Sequence, residues 1–288
     1  MKIFLQINGS RPGRNQSNYM TELKKNFIIA IPGRLESSRL PNKLLLELDG
    51  KSIITRVLEN CLKAFDSKKI VFCTDSKDLS FKAKELDIYS IMTKKDCKSG
   101  SERIASICEQ LIKRANGINA NEDFLEENII KNTLILNVQG DQPFLDPLLL
   151  KKMIDFCFKN KNIPFLTTPI YKLDNKNIHN PNVVKTLLNK KNQAIYFSRS
   201  AIPHVRGVPE KDWYNYNTYY GHVGIYGYRA DILLNWSKLG TSNLENCEKL
   251  EQLKLIDCGY KYETFLTKDE HISIDTEEQF LEAKKRFK

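Results

Sequence analysis

Residues 27–33 read Phe-Ile-Ile-Ala-Ile-Pro-Gly. Five apolar side chains in a row, closed by a Pro-Gly break, are too few for a helix and fit a strand buried on both faces of a sheet. Such a strand needs helices above and below it, and the following sequence supplies them. Ser52 stands as an N-cap before apolar positions 54, 57, 58, 61, 62 and 65, which keep the i, i+3, i+4 spacing of a helix face. Ile70–Cys73 is a second short strand, a helix follows around 78–86, then a strand at Tyr89–Met92 and a helix from Ser101 to about Lys113. Leu134–Val138 is a fourth buried strand. Alternation of this kind predicts an α/β fold: a mixed, mostly parallel sheet with helices on both faces.

Beyond Pro147 the pattern gives a helix to about Asn160 and strands at 164–171, 183–188, 194–197 and 222–228. A helix over 243–257 would align Leu244, Cys247, Leu250 and Leu253, and a strand near 260–266 leads to a last helix at 276–287. No internal repeat is visible. Residues 115–131 read as a polar surface insertion. Residues 1–25 read as an N-terminal extension, polar and aperiodic, ahead of one domain over 26–288. The extension is either a basic arm or an over-long start upstream of Met20.

The 288 residues are 41% hydrophobic and 28% charged, which excludes a disordered chain, and no apolar run approaches the ~20 residues of a membrane helix. Lys and Arg exceed Asp and Glu by 45 to 35, a formal charge of +10. That excess suits an acidic partner such as a nucleoside triphosphate, a sugar acid or RNA, but interleaved Lys and Glu also read as a solvated surface. The seven cysteines contain no CxxC pair, which fits free thiols in a reducing cytoplasm better than disulfides or zinc. The N-terminal apolar stretch is too short for a secretory signal.

Several segments carry candidate chemistry. Pro32-Gly33-Arg34-Leu35-Glu36-Ser37-Ser38-Arg39-Leu40-Pro41-Asn42-Lys43 follows the first strand, at the ligand-binding edge of an open α/β sheet. Its Arg forks, Lys point charge and backbone N–H groups suit a triphosphate, although it is no Walker loop and a plain basic loop has the same composition. Asn137-Val138-Gln139-Gly140-Asp141-Gln142-Pro143 puts a carboxylate at the end of a central strand, which suits a divalent cation or merely a turn. Asp275, before the last helix, is either a second metal carboxylate or a helix cap. Arg199, His222 and Tyr226 sit in aromatic-rich strands that are either core or the wall of a pocket for a carboxylated, hydroxyl-rich molecule. Glu248, Glu251, Gln252 and Leu255 would share one stripe of the 243–257 helix.

In order, the chain carries IPGRLESSRLPNK, CTD, SGSER, LNVQGDQP, NPNVVK, YFSRSAIP, HVGIYGYR, LEQLK and IDT. From about residue 26 to the C-terminus this succession resembles the 3-deoxy-manno-octulosonate cytidylyltransferase (CMP-Kdo synthetase) family. The resemblance implies a nucleotide-diphospho-sugar-transferase-like fold, a homodimer, and transfer of the CMP group of CTP to the sugar acid Kdo, with Mg²⁺ as cofactor and pyrophosphate released. It places Arg34, Ser38, Arg39 and Lys43 at the CTP phosphates, and Thr74, Asp75, Ser99, Gly100 and Arg103 around cytosine and ribose. Asp141 and Asp275 would hold the metal, and Arg34, Lys43 and Asp141 would carry catalysis. Gln139, Arg199, His222, Tyr226, Glu251 and Gln252 match sugar-pocket positions. By analogy the product would feed lipopolysaccharide or a capsule.

The chain departs from the family pattern at Leu35 (usually aromatic), Asn42 (Gly), Leu44 (Pro), Gln142 (Glu), His204 (often Trp) and Ser273 (Gly). These changes leave room for a related ulosonic acid, such as an amino-substituted Kdo. Two other readings compete: a different sugar nucleotidyltransferase, acting on a sialic-acid-like acid or a sugar 1-phosphate, and a non-catalytic nucleotide- or RNA-binding protein. NPNVVK and HVGIYGYR favour the Kdo branch, and no RNP-type aromatic signature supports RNA binding.

Overall fold

The computed structural model describes residues 25–268 and 272–286, so the expected extension lies outside the described residues except for Lys25. Twelve strands are present among them: β1 Asn26–Gly33, β2 Glu47–Leu48, β3 Lys51–Ser52, β4 Ile70–Thr74, β5 Tyr89–Met92, β6 Thr133–Val138, β7 Leu166–Lys172, β8 Lys185–Leu188, β9 Gln193–Ser198, β10 Tyr220–His222, β11 Ile225–Arg229 and β12 Tyr262–Leu266. The α-helices are α1 Ile53–Ala64, α2 Lys77–Lys84, α3 Gly100–Ala105, α4 Cys108–Asn116, α5 Glu127–Lys131, α6 Pro147–Cys157, α7 Asn175–Ile178, α8 Ala230–Leu234, α9 Asn243–Glu248, α10 Leu253–Asp257 and α11 Glu277–Lys285.

Ten strands make one sheet in the order β10-β8-β9-β12-β7-β11-β6-β1-β4-β5. The β5-β4-β1-β6 half is parallel, as the βαβ pattern requires. Beyond β6 the sheet turns mixed: β11 runs antiparallel to both β6 and β7, while β12 is parallel to β7. The reading of β1 as doubly buried holds side chain by side chain. Phe27, Ile29 and Ile31 join the core beneath α1, α6 and α11, and Ile28 and Ala30 join the core beneath α3, α4 and α8. Each fully buried aliphatic side chain contributes about 1.5–3 kcal/mol, so the strand that leads into the basic loop is among the most firmly held.

Four expected segments differ. The Ser101–Lys113 helix is two helices, because the Ser106 hydroxyl donates to the Arg103 carbonyl (2.7 Å) and Ile107 leaves helical geometry. The 243–257 helix is broken at Lys249, which adopts the left-handed conformation (φ 54°) while Leu250 turns into the core. The 115–131 insertion is shorter than expected: Ala115 and Asn116 finish α4, and α5 packs Ile129 and Ile130 against the core. The strand expected over 222–228 is likewise interrupted, with Val223 and Gly224 between β10 and β11.

Candidate active site

The carboxyl ends of β1 and β6 lie side by side, so the loop after β1 and the turn after β6 face one cleft. In the first loop the Lys43 amide donates to the Leu40 carbonyl (3.2 Å), closing a turn through Pro41 and Asn42. Asn42 takes a left-handed conformation (φ 51°) there, which explains why the usual Gly of this position tolerates Asn: the short amide side chain is the least strained alternative to Gly. The turn aims Lys43 across the cleft. Its Nζ lies 2.5 Å from Asp141 Oδ2 and 2.7 Å from Asp275 Oδ1, and Arg39 Nη2 lies 3.2 Å from the same Asp275 oxygen.

Each aspartate is placed by its own turn. Gly140 lets the chain pass Pro32, because a Cβ there would stand 3.0 Å from the Pro32 carbonyl oxygen. Asp275 turns out not to be the helix cap. Thr276 caps α11 in a capping box with Gln279, leaving the Asp275 carboxylate to point at Lys43. Burial opposes the charge on Lys43, but the carboxylates of Asp141 and Asp275 outweigh it and hold the ammonium above its ordinary pKa. Burial likewise opposes ionisation of Asp275, and Lys43 and Arg39 overcome it, keeping the carboxyl below the usual range.

Two carboxylates that share one ammonium have oxygens within reach of one small cation. Among the described residues no group of three or more His, Cys, Asp or Glu side chains gathers as a metal site, here or elsewhere. An oxygen-only pair suits Mg²⁺, which commonly takes one or two protein carboxylates and fills its octahedron with water and phosphate oxygens.

The cleft, about 220 Å³, is lined by Arg34, Ser38, Arg39, Lys43, Ser99, Gly100 and Arg103, as well as by Gln139 and both aspartates. A Cβ on Gly100 would sit 3.0 Å from the Pro32 ring and 3.1 Å from Gln139 Oε1, so this wall approaches closely only as Gly. Ser99 caps α3 by accepting from the Glu102 amide. Two expected members stand behind the wall. Thr74 is fully buried, its hydroxyl accepting from the Ser76 amide (3.2 Å). Asp75 pairs with buried Arg103 (3.0 Å) and accepts from the Leu35 amide (3.3 Å). Asp75 thereby fixes Arg103 and the start of the basic loop.

A second, polar cleft of about 680 Å³ shares Arg39, Gln139, Asp141 and Asp275 with the first. Gln139, Arg199, His222, Tyr226, Glu251 and Gln252 all line it. Gln139 donates to Glu251 (3.1 Å), Tyr226 donates to Gln252 (3.1 Å), and the Ser101 amide donates to Glu251 (3.1 Å). Burial raises the Glu251 carboxyl pKa against the pull of Ser99 and Ser101. His222 stacks on Tyr226 and meets Phe197 edge-on, and burial pushes its pKa down to about 3, so it presents a neutral ring. Glu248 does not share a stripe with Glu251. It accepts from the Arg199 amide (2.9 Å) and the Ser198 hydroxyl (2.6 Å), on the far side of the helix break.

A family model described as cytidylyltransferase matches residues 28–265. The 3-deoxy-manno-octulosonate cytidylyltransferase of Francisella tularensis subsp. tularensis is 37% identical over 238 residues, 82% of this chain and 88% of that one. The protein of the same name from Chlorobaculum tepidum is 33% identical over 267 residues, 91% of this chain and 98% of its own. The chain belongs to the 3-deoxy-manno-octulosonate cytidylyltransferase family. A solved structure of CMP:2-keto-3-deoxy-manno-octonic acid synthetase complexed with CTP superposes with a TM-score of 0.75 at 29% identity, covering 90% of this chain and 97% of that one. The fold is that of the nucleotide-diphospho-sugar transferases.

Within this family the departures acquire physical readings. Gln142, where Glu is usual, donates through Nε2 to the Gly224 carbonyl (3.2 Å), a bond an ionised carboxylate cannot make. His204, where Trp is frequent, packs edge-on against Trp213 at 4.8 Å. Leu35 keeps its contact with the core although it lacks a ring. Sequence reading missed Ser37 and Lys98 in the first cleft and Gln142 in the second. Ser37 and Lys98 adjoin motifs already singled out, so adjacency was the available signal; Gln142 was visible only as a departure.

Proposed function

We propose that this chain transfers the CMP group of CTP to 3-deoxy-manno-octulosonate or a close ulosonic acid, releasing pyrophosphate. One observation carries the reading: the Asp141–Lys43–Asp275 cluster stands where a cleft walled by basic side chains meets a polar cleft. A triphosphate laid along the first cleft and a sugar acid in the second would meet at those carboxylates.

Arg34, Ser38, Arg39 and Lys43 would hold the phosphates, with Lys43 leaving its carboxylates for the nucleotide as the triphosphate arrives. Ser99, Gly100 and Arg103 would border the nucleoside. Gln139, Arg199, His222, Tyr226, Glu251 and Gln252 would orient the sugar acid, His222 as a neutral hydrogen-bonding ring. The anomeric hydroxyl then attacks the α-phosphorus in line; an O–P bond forms as the bond to the β-phosphate breaks. Asp141 and Asp275 would hold Mg²⁺, which when bound neutralises phosphate charge and favours ionisation of a coordinated hydroxyl. Alignment and charge stabilisation are the protein's contribution, which accounts for a site rich in Arg and Lys without a nucleophilic triad.

The same reading takes the protein to be a cytoplasmic homodimer supplying an activated sugar to lipopolysaccharide or a capsule. Among the described residues no helix is long and apolar enough to cross a membrane. Pyrophosphate release tests the proposal. CTP with Kdo and Mg²⁺ should give turnover, while ATP, GTP and UTP should give little; no release with any ulosonic acid would refute it.

A further inference from the structure

The NPNVVK segment ends in Lys185, a cation that the mechanism above does not use. Among the described residues Arg103 and Lys185 are the buried cationic side chains, and Lys185 is the one fully withdrawn from solvent. Arg103 has Asp75 as its counter-ion, whereas Lys185 forms no ion pair with a described carboxylate. Its Nζ instead donates to the carbonyls of Asn180 (2.8 Å) and Val183 (2.7 Å). Burying an ammonium on neutral acceptors is unfavourable, and a group this costly at a fixed place invites a reason.

The neighbours of Lys185 supply one. It lies on β8 opposite Ser198 of β9 and Gly221 of β10, next to the strand positions that present Arg199 and His222. Arg199 reaches back to the same segment and donates through Nη1 to the Pro181 carbonyl (3.2 Å). The two cations thus take three carbonyls of one loop, those of Asn180, Pro181 and Val183, and the Val184 carbonyl accepts from the His222 amide (3.0 Å). That loop and Arg199 form one end of the polar cleft. Glu248, bonded to the Arg199 amide, is the carboxylate that faces this pair of cations. The ammonium is held below its ordinary pKa, at about 8, first by burial and then by Arg199.

We propose that Lys185 is a positioning residue for the anionic end of the sugar acid: it fixes the 180–184 loop and, through Arg199, keeps that end of the cleft positive for a substrate carboxylate. The inference rests on the cytidylyltransferase reading and assigns the orientation of the acid within it, with the carboxylate toward Arg199.

The test is steady-state kinetics on the full chain, with pyrophosphate release read against CTP and against the ulosonic acid separately. Lys185→Gln keeps a hydrogen-bond donor for the loop but removes the charge, Lys185→Met removes both, and Lys185→Arg keeps the charge. KM for the acid should rise about tenfold or more in the Gln and Met variants, with KM for CTP within about twofold of the parent. Lys185→Arg should recover most of the loss. An unchanged KM for the acid in Lys185→Gln, or equal increases for both substrates, overturns the proposal. If Lys185→Met does not melt cooperatively, the Gln and Arg variants decide alone. An inactive parent protein would instead strike at the cytidylyltransferase reading, so the two failures are distinct.

Discussion

The Ile274 amide donates a 3.0 Å hydrogen bond to the carbonyl of Asp141, across 133 positions of sequence. That one bond joins the turn after β6 to the segment leading into α11, and each turn carries one of the carboxylates that meet at Lys43. The site is therefore assembled by backbone, with the side chains free to exchange partners.

Removing either carboxylate should separate chemistry from folding. Asp141→Asn and Asp275→Asn retain the backbone bond and near-equal volume, so cooperative melting should persist. Pyrophosphate release should fall by about two to four orders of magnitude, given that electrostatic groups of this kind each contribute several kcal/mol to the transition state. Undiminished turnover in Asp141→Asn would refute its assignment.

Lys43→Met should bring two carboxylates together without their ammonium. We expect KM for CTP to rise at least about tenfold. In the absence of nucleotide, Mg²⁺ or Mn²⁺ should raise the melting temperature of the variant more than that of the parent, because the cation then binds uncompensated carboxylates in the folded state alone. Equal metal-induced shifts in both proteins would contradict this picture.

His222 gives a pH dependence of defined sign. Its pKa falls from 6.5 to about 3 on folding, so as pH drops below 6.5 the unfolded chain takes up a proton that the folded chain refuses. Stability contributed by the neutral ring is complete above that range and declines toward pH 3. From about pH 7 to about pH 5 the loss should be about 1–2 kcal/mol by proton linkage. Urea midpoints measured across that interval should show a shallower slope for His222→Phe, which keeps the ring stack on Tyr226.

Substituting Ala for Gly140 tests the close passage at Pro32. The added methyl would sit 3.0 Å from a carbonyl oxygen of β1 and 3.3 Å from Ile54 Cδ1, and the strand cannot yield without disturbing two cores. A cost of about 1–3 kcal/mol is expected from overpacking, with a larger loss in turnover as Asp141 moves. If the Gly140→Ala variant matched the parent in both stability and activity, the turn would have to be slack.

The thiols should divide into two classes. Cys61, Cys73, Cys97, Cys108 and Cys157 are buried, and burial raises each pKa, that of Cys73 to about 12 and of Cys157 to about 11. Cys247 and Cys258 are exposed. Native protein should therefore react promptly with an alkylating reagent at those two positions alone, as peptide mapping would show.

Where local physics dominates, the sequence was legible. The unbroken run Phe27–Ile31 announced a strand packed on two faces, and Ser52 announced the start of α1, whose Thr55 amide it caps. The basic loop, Asp141, Arg199, His222 and Tyr226 were marked by residue type at strand ends. The 243–257 helix was misread because a left-handed Lys249 leaves no local signature: Lys is an ordinary helix residue, and only the pull of Leu250 into the core breaks the helix. The retreat of Asp75 behind the wall was illegible for a similar reason, since it depends on a pairing with Arg103, 28 positions away.

Sequence alone thus determined the alternation of strands and helices, the edge of the sheet at which a ligand would bind, and the charged groups available there. Those follow from side-chain volume, polarity and spacing along a few neighbouring residues. Only the tertiary structure decided that Asp275 leaves the capping to Thr276 and joins Asp141 at one ammonium, and that Lys185 and Arg199 hold a single loop. Such choices turn on which distant groups meet in a medium of low polarity, where an unpaired charge costs far more than any local preference can supply.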